Sequence, residues 1–441
     1  MSTEYDEGSI SLVNAVAMGT GVMIGAGIFA LTGQIAGLAG PLFPLSFVAG
    51  AIVTAFSAYT YIKMSNAYPS AGGIAMILQK AYGAGTVAAG ASLLMALSMV
   101  INESLVARTF GTYVLRGFGF DPDSVLVPIL AVGLIVFAYL VNAAGNRSVG
   151  LFSNVMALVK VGGIVLFGAA ALWAAGFSFA ASGGEGSSGG VGGFVASVAL
   201  SILAFKGFTT ITNSGAEITE PKRNVGRAII WSIAICVVVY LLVAFAVGSS
   251  LTLPEIVEAQ DFSLAEAARP AFGDLGVWLT VALAIVATAS GLIASVFAVS
   301  RMLAMLTEMK MIPHSHFGMP GVVRDHTLVY TVVIAGALAV FFDLGRIASL
   351  GVFFYLVMDI LIQWGVRRHL LDDIGARGWV LLAAIVLDLA VLAAFTFMKL
   401  QSDPWIVAIA VIGIAVVFAF VRGYFSLRDD DDDDGNAHAH P

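Results

Sequence analysis

Twelve apolar runs, each long enough to cross a bilayer as a helix and each bounded by charge or by glycine and proline clusters, divide the chain almost end to end. They cover residues 12–35, 42–62, 85–115, 125–141, 151–175, 194–216, 228–249, 275–306, 328–342, 347–366, 379–397 and 405–424. The runs are continuous and rich in Leu, Val, Ala and Gly, whereas a membrane barrel would show short alternating segments. The pattern predicts an all-α polytopic membrane protein of twelve transmembrane helices. One membrane domain is expected over residues 1–427, followed by a disordered acidic cytoplasmic tail over 428–441.

The connections add direction. Placing the N-terminus in the cytoplasm puts fourteen basic residues in inner loops or at the C-terminal end and four outside: Arg116, Arg269, Arg346 and Lys399. The other three, Arg108, Lys160 and Lys206, fall within spans. This asymmetry predicts two cytoplasmic termini in a plasma membrane protein, which requires an even number of spans. Residues 1–9 are acidic and polar and lack the basic stretch of a signal peptide, so the first span is expected to be the targeting element. Two outer connections are long: 176–193, rich in Gly and Ser, and 250–274, which carries the helical-looking Leu253-Pro-Glu-Ile-Val-Glu and Leu264-Ala-Glu-Ala-Ala.

Composition sharpens the picture little. Of 441 residues, 59% are hydrophobic and 11% charged, outside the soluble globular range. The net charge of -7 comes mostly from the run Asp429 to Asp434, and with so few lysines it suits an organism of high salt, of which an archaeon is one kind. Cys236 stands alone, which excludes an internal disulfide and any multi-cysteine metal site.

Two spans carry breaks. The first holds four glycines in nine positions, in Gly19-Thr-Gly-Val-Met-Ile-Gly-Ala-Gly27, and each glycine costs a helix interior about 1 kcal/mol relative to alanine. Unwinding there would expose carbonyls at one half-helix end and N–H groups at the other, a pair that suits a zwitterion. Gly21 and Gly25 also fit a close helix-packing motif, and that reading stays open. The sixth span is interrupted at Leu203-Ala-Phe-Lys-Gly-Phe208. Spans three and eight are both unusually long, so matching irregularities recur five spans apart and predict two inverted five-helix repeats with a site between the broken pair.

Charged groups inside apolar sequence are the other candidates. Lys160, in Asn154-Val-Met-Ala-Leu-Val-Lys160, costs about 3 kcal/mol or more as a bare ammonium in lipid, and needs a partner or a task. The third span carries Ser98 and Asn102 one turn apart, with Glu103 and Arg108 five apart, a spacing that sends the latter two to partners on other helices. His314, His316 and His326 share one predicted cytoplasmic loop without ligand spacing, and His438 and His440 lie on the tail, so no metal or other cofactor is expected. No phosphate-binding loop appears, which argues against a primary pump or an enzyme, and nothing points to nucleic acid.

At these residues the chain resembles the amino acid/polyamine/organocation superfamily, and within it the archaeal and bacterial proton-coupled amino acid permeases. Gly21-Val-Met-Ile-Gly-Ala-Gly-Ile-Phe29 looks like the first-helix signature, and Gly207-Phe-Thr-Thr-Ile-Thr-Asn-Ser-Gly-Ala-Glu217 with Pro221-Lys-Arg-Asn-Val-Gly-Arg-Ala-Ile229 like the sixth-helix and loop signature. The resemblance implies a LeuT-type fold of ten core helices plus two. It implies that Lys160 is the proton-coupling group, with the carbonyls of Gly21 and Val22 and the hydroxyl of Ser290 around it. It implies a substrate pocket from Ile24, Gly25, Ala26 and Gly27 of the first span, Ser98 and Asn102 of the third, and Leu203, Phe205, Lys206, Gly207 and Phe208 of the sixth. Two positions depart from the pattern. Lys206 replaces an apolar or uncharged residue and could attract an acidic side chain, pair with Glu103 or face a water-filled vestibule. Leu203 stands where an aromatic gate is expected, leaving Phe205 or Phe208 to cover the pocket.

The expected function is secondary active import of amino acids, coupled to protons, by alternating access in a lipid bilayer. Alternatives are an amino acid or polyamine exchanger that needs no proton gradient, a nutrient sensor on the same fold, and sodium coupling, which Lys160 in the cation position weakens. Neither the particular amino acid nor the oligomeric state is legible.

Overall fold

The computed structural model describes residues 8–70, 73–120, 124–144, 146–182, 190–313 and 323–437. Its helices are α1 (Leu12–Met23), α2 (Ala26–Phe29), α3 (Thr32–Ala39), α4 (Phe43–Ala67), α5 (Gly73–Tyr82), α6 (Thr86–Gly117), α7 (Leu126–Ala143), α8 (Asn146–Ala174) and α9 (Gly190–Phe205). After these come α10 (Thr209–Asn213), α11 (Pro221–Ser250), α12 (Leu253–Glu258), α13 (Ser263–Glu308), α14 (Val323–Phe341), α15 (Leu344–His369), α16 (Gly378–Ser402) and α17 (Pro404–Ala437). Among the described residues the β contact is a bridge between Ile10 and Ile218, which ties the start of the chain to the turn before α11.

The fold is all-α, as the apolar pattern predicts. Ten segments among the described residues are long and apolar enough to cross a membrane, and two shorter apolar stretches, Val159–Ala174 and Asp325–Phe341, stand at the fifth and ninth predicted spans. In α6, 83% of the most apolar window is buried by protein, against 28% in α7 and in α17. Thus α6 is central, and α7 and α17 turn most of their surface outward. All six tryptophans are exposed, and Trp173, Trp379 and Trp405 sit within two residues of a helix end, where an amphipathic ring meets the headgroup layer.

Local chemistry sets the boundaries. Gly40, at φ 62°, turns the chain from α3 into α4, whose first turn holds Pro44. Thr252 and Glu255 close a capping box on α12. Within α13, Gly273 at φ 59° kinks the helix three residues after Pro270, so the predicted eighth span begins beyond that kink and the helical-looking stretch before it continues into the same element.

Several expectations shift. The predicted first span is three short helices, α1 to α3, because the chain breaks after Met23 and again after Phe29. The loop after the second span contains α5, an amphipathic helix packed on α6 and α15. His326 belongs to α14 and is buried, not in a loop; His314, His316, His438 and His440 lie outside the described residues. The last helix, α17, is described as far as Ala437.

At one helix end Arg346 Nε donates to Asp403 Oδ2 at 2.6 Å and lies 3.6 Å from Asp343, joining the start of α15 to the junction of α16 and α17. The hydrogen bond from Arg346 holds the Asp403 carboxyl below the usual carboxylate range. A depressed folded value means that this contribution is present above the unfolded pKa of about 3.9 and is lost as pH falls through the folded value. The pair is partly solvated, so about 1 kcal/mol or less is at stake. Asp403→Asn is therefore expected to lower the melting temperature slightly at pH 7, and the difference from the parent should shrink as pH falls below about 4. Thermal unfolding followed across that range checks it.

Candidate functional site

The two interrupted spans meet at the centre of the molecule. Helix α1 stops at Met23 because Ile24 leaves helical geometry (φ −82°, ψ 69°), and the chain restarts as α2. The last carbonyls of α1 thus lose their partners within the helix. Two of them are answered from other helices. Lys160 Nζ on α8 donates to Gly21 O at 3.1 Å, and the Tyr240 hydroxyl on α11 donates to Met23 O at 2.6 Å. Thr20 O still accepts from Ile24 N at 2.7 Å.

The sixth span is interrupted more gently than the sequence implies. Lys206–Phe208 form one 3₁₀ turn between α9 and α10, and its flanking residues keep helical angles. Residues 204–208 are therefore tightened, not unwound, because i→i+3 bonds keep most backbone groups paired. The Thr209 hydroxyl supplies another donor to Lys206 O at 2.8 Å. Tyr240 also reaches Ala204 O at 3.0 Å, so one hydroxyl joins carbonyls of both spans.

Glycine permits that approach. A Cβ on Gly207 would stand 2.7 Å from Met23 Cγ and 2.9 Å from Met23 N, and one on Gly27 would stand 2.9 Å from the Tyr240 hydroxyl and 3.2 Å from Ala204 Cα. Any larger residue pushes the two spans apart.

Lys160 is 3% exposed, and Gly21 O is the hydrogen-bond partner the structure gives it. A Cβ built on Gly291 of α13 would lie 4.0 Å from the ammonium and 4.0 Å from Gly21 O, so α1, α8 and α13 converge here. The other expected neighbours are arranged differently. Ser290 turns its hydroxyl back to Val286 O at 2.6 Å, the usual way a helical serine satisfies itself, and Val22 lines the adjacent cavity without a hydrogen bond to Lys160.

That cavity, of about 20 Å³, lies between the two interrupted spans, α6 and α13. It has room for about one water and is too small for an amino acid. Among the expected pocket residues, Gly27, Asn102, Leu203, Lys206 and Gly207 line it. Ile24 is fully buried and, like Gly25, is not among its lining residues; the side chain of Ala26 lies outside the described residues. Ser98 is engaged by Lys206, whose ammonium donates to Ser98 O at 2.7 Å and Ser98 Oγ at 2.9 Å. Neither phenylalanine covers the cavity. Phe205 packs on Tyr240 with ring centroids 4.9 Å apart, and Phe208 meets Tyr61 edge-on at 5.3 Å. Both rings are drawn toward α11 and α4, which leaves the gate position to Leu203.

Lys206 does not pair directly with Glu103. Glu103 is fully buried and accepts from Ser295 Oγ of α13 at 3.2 Å, while its Oε2 has no partner. Arg108 donates to Ala339 O of α14 at 2.8 Å. Both residues thus find partners on other helices, as their five-residue spacing predicts.

Sequence reasoning missed Tyr240, and the cavity-lining Met99, Thr209, Thr210 and Ser295. The two threonines stand inside the quoted sixth-span signature. Tyr240 left one signal, a hydroxyl isolated in a strongly apolar run, but nothing in the chain shows where it points. Ion pairs also tie α13 to its neighbours: Arg301 of α13 with Glu217, in the turn after α10, at 2.5 Å, and Arg116 of α6 with Glu266 of α13 at 2.7 Å.

Removing the Tyr240 hydroxyl leaves carbonyls of both spans without their shared donor. Tyr240→Phe is expected to cost about 1–3 kcal/mol, and Gly207→Ala, through overpacking, about the same. Thermal unfolding of the purified protein in lipid measures both, and a melting curve unchanged in Tyr240→Phe would refute the stapling role.

The profile of the family described as amino acid permease matches residues 10–420. The chain is 27% identical over 434 residues to the inner membrane transport protein YbaT of Escherichia coli, spanning 96% of this chain and 99% of that protein. It is 28% identical over 405 residues to an uncharacterised protein of Methanocaldococcus jannaschii, 91% of each chain. It is also 27% identical over 257 residues to the methylthioribose transporter of Bacillus subtilis, 54% of each chain. With an all-α membrane fold, two interrupted spans at its centre and this match along nearly its whole length, the chain belongs to the amino acid permease family of the amino acid/polyamine/organocation superfamily and is a multi-pass membrane transporter.

Proposed function

We propose that the protein imports amino acids together with protons across the plasma membrane, with both termini in the cytoplasm, by alternating access on a LeuT-type pair of inverted repeats. The observation that carries this reading is the Lys160 ammonium seated on Gly21 O, at the point where the first span breaks. A lysine there can hold α8 against α1 when protonated and release it when neutral, so proton loss and helix movement become one event.

The substrate's carboxylate and ammonium would meet the main chain at Ile24 to Gly27 and at Ala204 to Phe208. Its side chain would extend towards Ser98, Asn102 and Lys206. Since the present cavity has room for about one water, substrate entry requires the interrupted spans to separate. Helices α1, α4, α9, α10 and α11 are the group expected to move against α6, α8 and α13, with Tyr240 travelling inside the first group as its staple. The excess of basic residues in the predicted inner loops supports the orientation.

Uptake into proteoliposomes tests the reading. Labelled amino acids of each charge class, and methylthioribose because one relative bears its name, are offered under imposed proton or sodium gradients. Proton-driven accumulation of at least one amino acid is expected, falling by about tenfold or more in Lys160→Gln, a loss of about 1.4 kcal/mol of coupling. Lys206→Met is expected to change the ranking of acidic against neutral substrates. Accumulation driven by sodium alone, or a proton response intact in Lys160→Gln, would sink the coupling role.

A further inference from the structure

Away from the cavity, two carboxyl groups are buried against each other. Asp359 of α15 and Asp388 of α16 are each 1% exposed, and the two carboxyl groups are in contact. From the facing helix α4, Ser57 Oγ donates to Asp359 Oδ2 at 2.6 Å and the Tyr61 hydroxyl donates to Oδ1. Gln363 Nε2 donates to Ser57 O and Oγ, both at 3.2 Å, and its Oε1 accepts from Thr60, which fixes the serine in place. Tyr355 bonds Ser57 as well, and the Lys206 ammonium lies 5.9 Å from the Tyr355 ring centroid. Tyr82 of α5 is occupied at Leu361 O. Among the described residues no basic side chain forms an ion pair with either aspartate.

Two further atoms stand out. Asp388 Oδ2 has no hydrogen-bond partner, and neither has the buried Thr54 hydroxyl, one turn before Ser57 on the same face of α4. Two touching carboxylates with no cation, deep in a membrane protein, repel too strongly to persist. Their contact needs a proton between them. The placement follows from the donors. Asp359 accepts from two hydroxyls, as an anion does, whereas an orphan oxygen on Asp388 is tolerable as the carbonyl of a neutral acid and costly as half a carboxylate.

We propose that Asp359 and Asp388 form a second proton-binding site, in which one proton resides on Asp388 and is shared with Asp359 under two hydroxyl donors from α4. The ligand is a proton and not a metal cation, because both oxygens of Asp359 already face hydroxyl hydrogens, where a cation needs lone pairs. If α4 withdraws, the pair loses both hydroxyl donors and binds a second proton from the solvent. The pair then becomes two neutral acids, and the protein gains one positive charge. That α4 moves rests on the transport reading above; the resident proton does not.

Infrared spectroscopy of the purified full-length protein in lipid, at pH 7 and low sodium, in H₂O and D₂O, tests this directly. A deuterium-sensitive C=O band of a protonated carboxylic acid is expected, lost in Asp388→Asn and kept in Glu103→Gln. Ser57→Ala and Tyr61→Phe, which keep both acids, are expected to shift the band, so the idea stays testable even if Asp388→Asn fails to fold. Absence of any such band that depends on Asp388 or responds to both α4 variants overturns it, and so does a band that disappears on adding sodium. In proteoliposomes the acidic limb of the pH profile of uptake is expected to move in Ser57→Ala. An unmoved limb refutes the α4 coupling, whereas no uptake even by the parent indicts the transport reading and leaves the band to decide the site.

Discussion

A main-chain carbonyl released from a helix inside a bilayer has no water to turn to, and the centre of this protein is organised around that constraint. The first span gives up helical geometry at Ile24, and neighbouring helices supply the missing hydrogens: Lys160 to Gly21 O, Tyr240 to Met23 O. Because Tyr240 also holds Ala204 O, the donor that satisfies one break locks it to the other. The glycines at 27 and 207 are the geometric counterpart, since any Cβ there would occupy the space through which the spans approach.

Charge in the membrane core is handled by the same means. Lys160 rests on a carbonyl, Lys206 on a carbonyl and a hydroxyl, and Asp359 under two hydroxyls, while the full ion pairs Arg116–Glu266, Arg301–Glu217 and Arg346–Asp403 lie towards the ends of the helices. The difference matters for a protein that must rearrange. A buried ion pair is expensive to break, because it strands two charges, whereas a single charge held by neutral dipoles can change its proton or its partner at lower cost. The groups that sit between helix groups are therefore of the kind that can be released.

The small cavity fits this arrangement. Leu203, Asn102, Lys206 and Gly207 already converge on it, so the zwitterion binding proposed above calls for space more than for new chemistry. Phe205 and Phe208 are committed to Tyr240 and Tyr61 instead, and their packing ties the sixth span to α11 and α4, the helices with which it is proposed to move.

The amino-acid sequence by itself determined the helices, the interruption at Gly21 to Gly27, and the isolation of Lys160 and Lys206 in apolar runs, because hydropathy, glycine content and charge are properties of neighbouring positions. It could not show that residues 204–208 tighten into a 3₁₀ turn, that Ser290 turns back on its own helix, or that α5 and the first three short helices are separate elements, since each depends on a hydrogen bond or contact offered from elsewhere. Tyr240, the Lys206–Ser98 contact and the Asp359–Asp388 pair were invisible for the same reason: their partners lie 29 to 217 positions away along the chain, and only the packing of one helix on another decides that they meet.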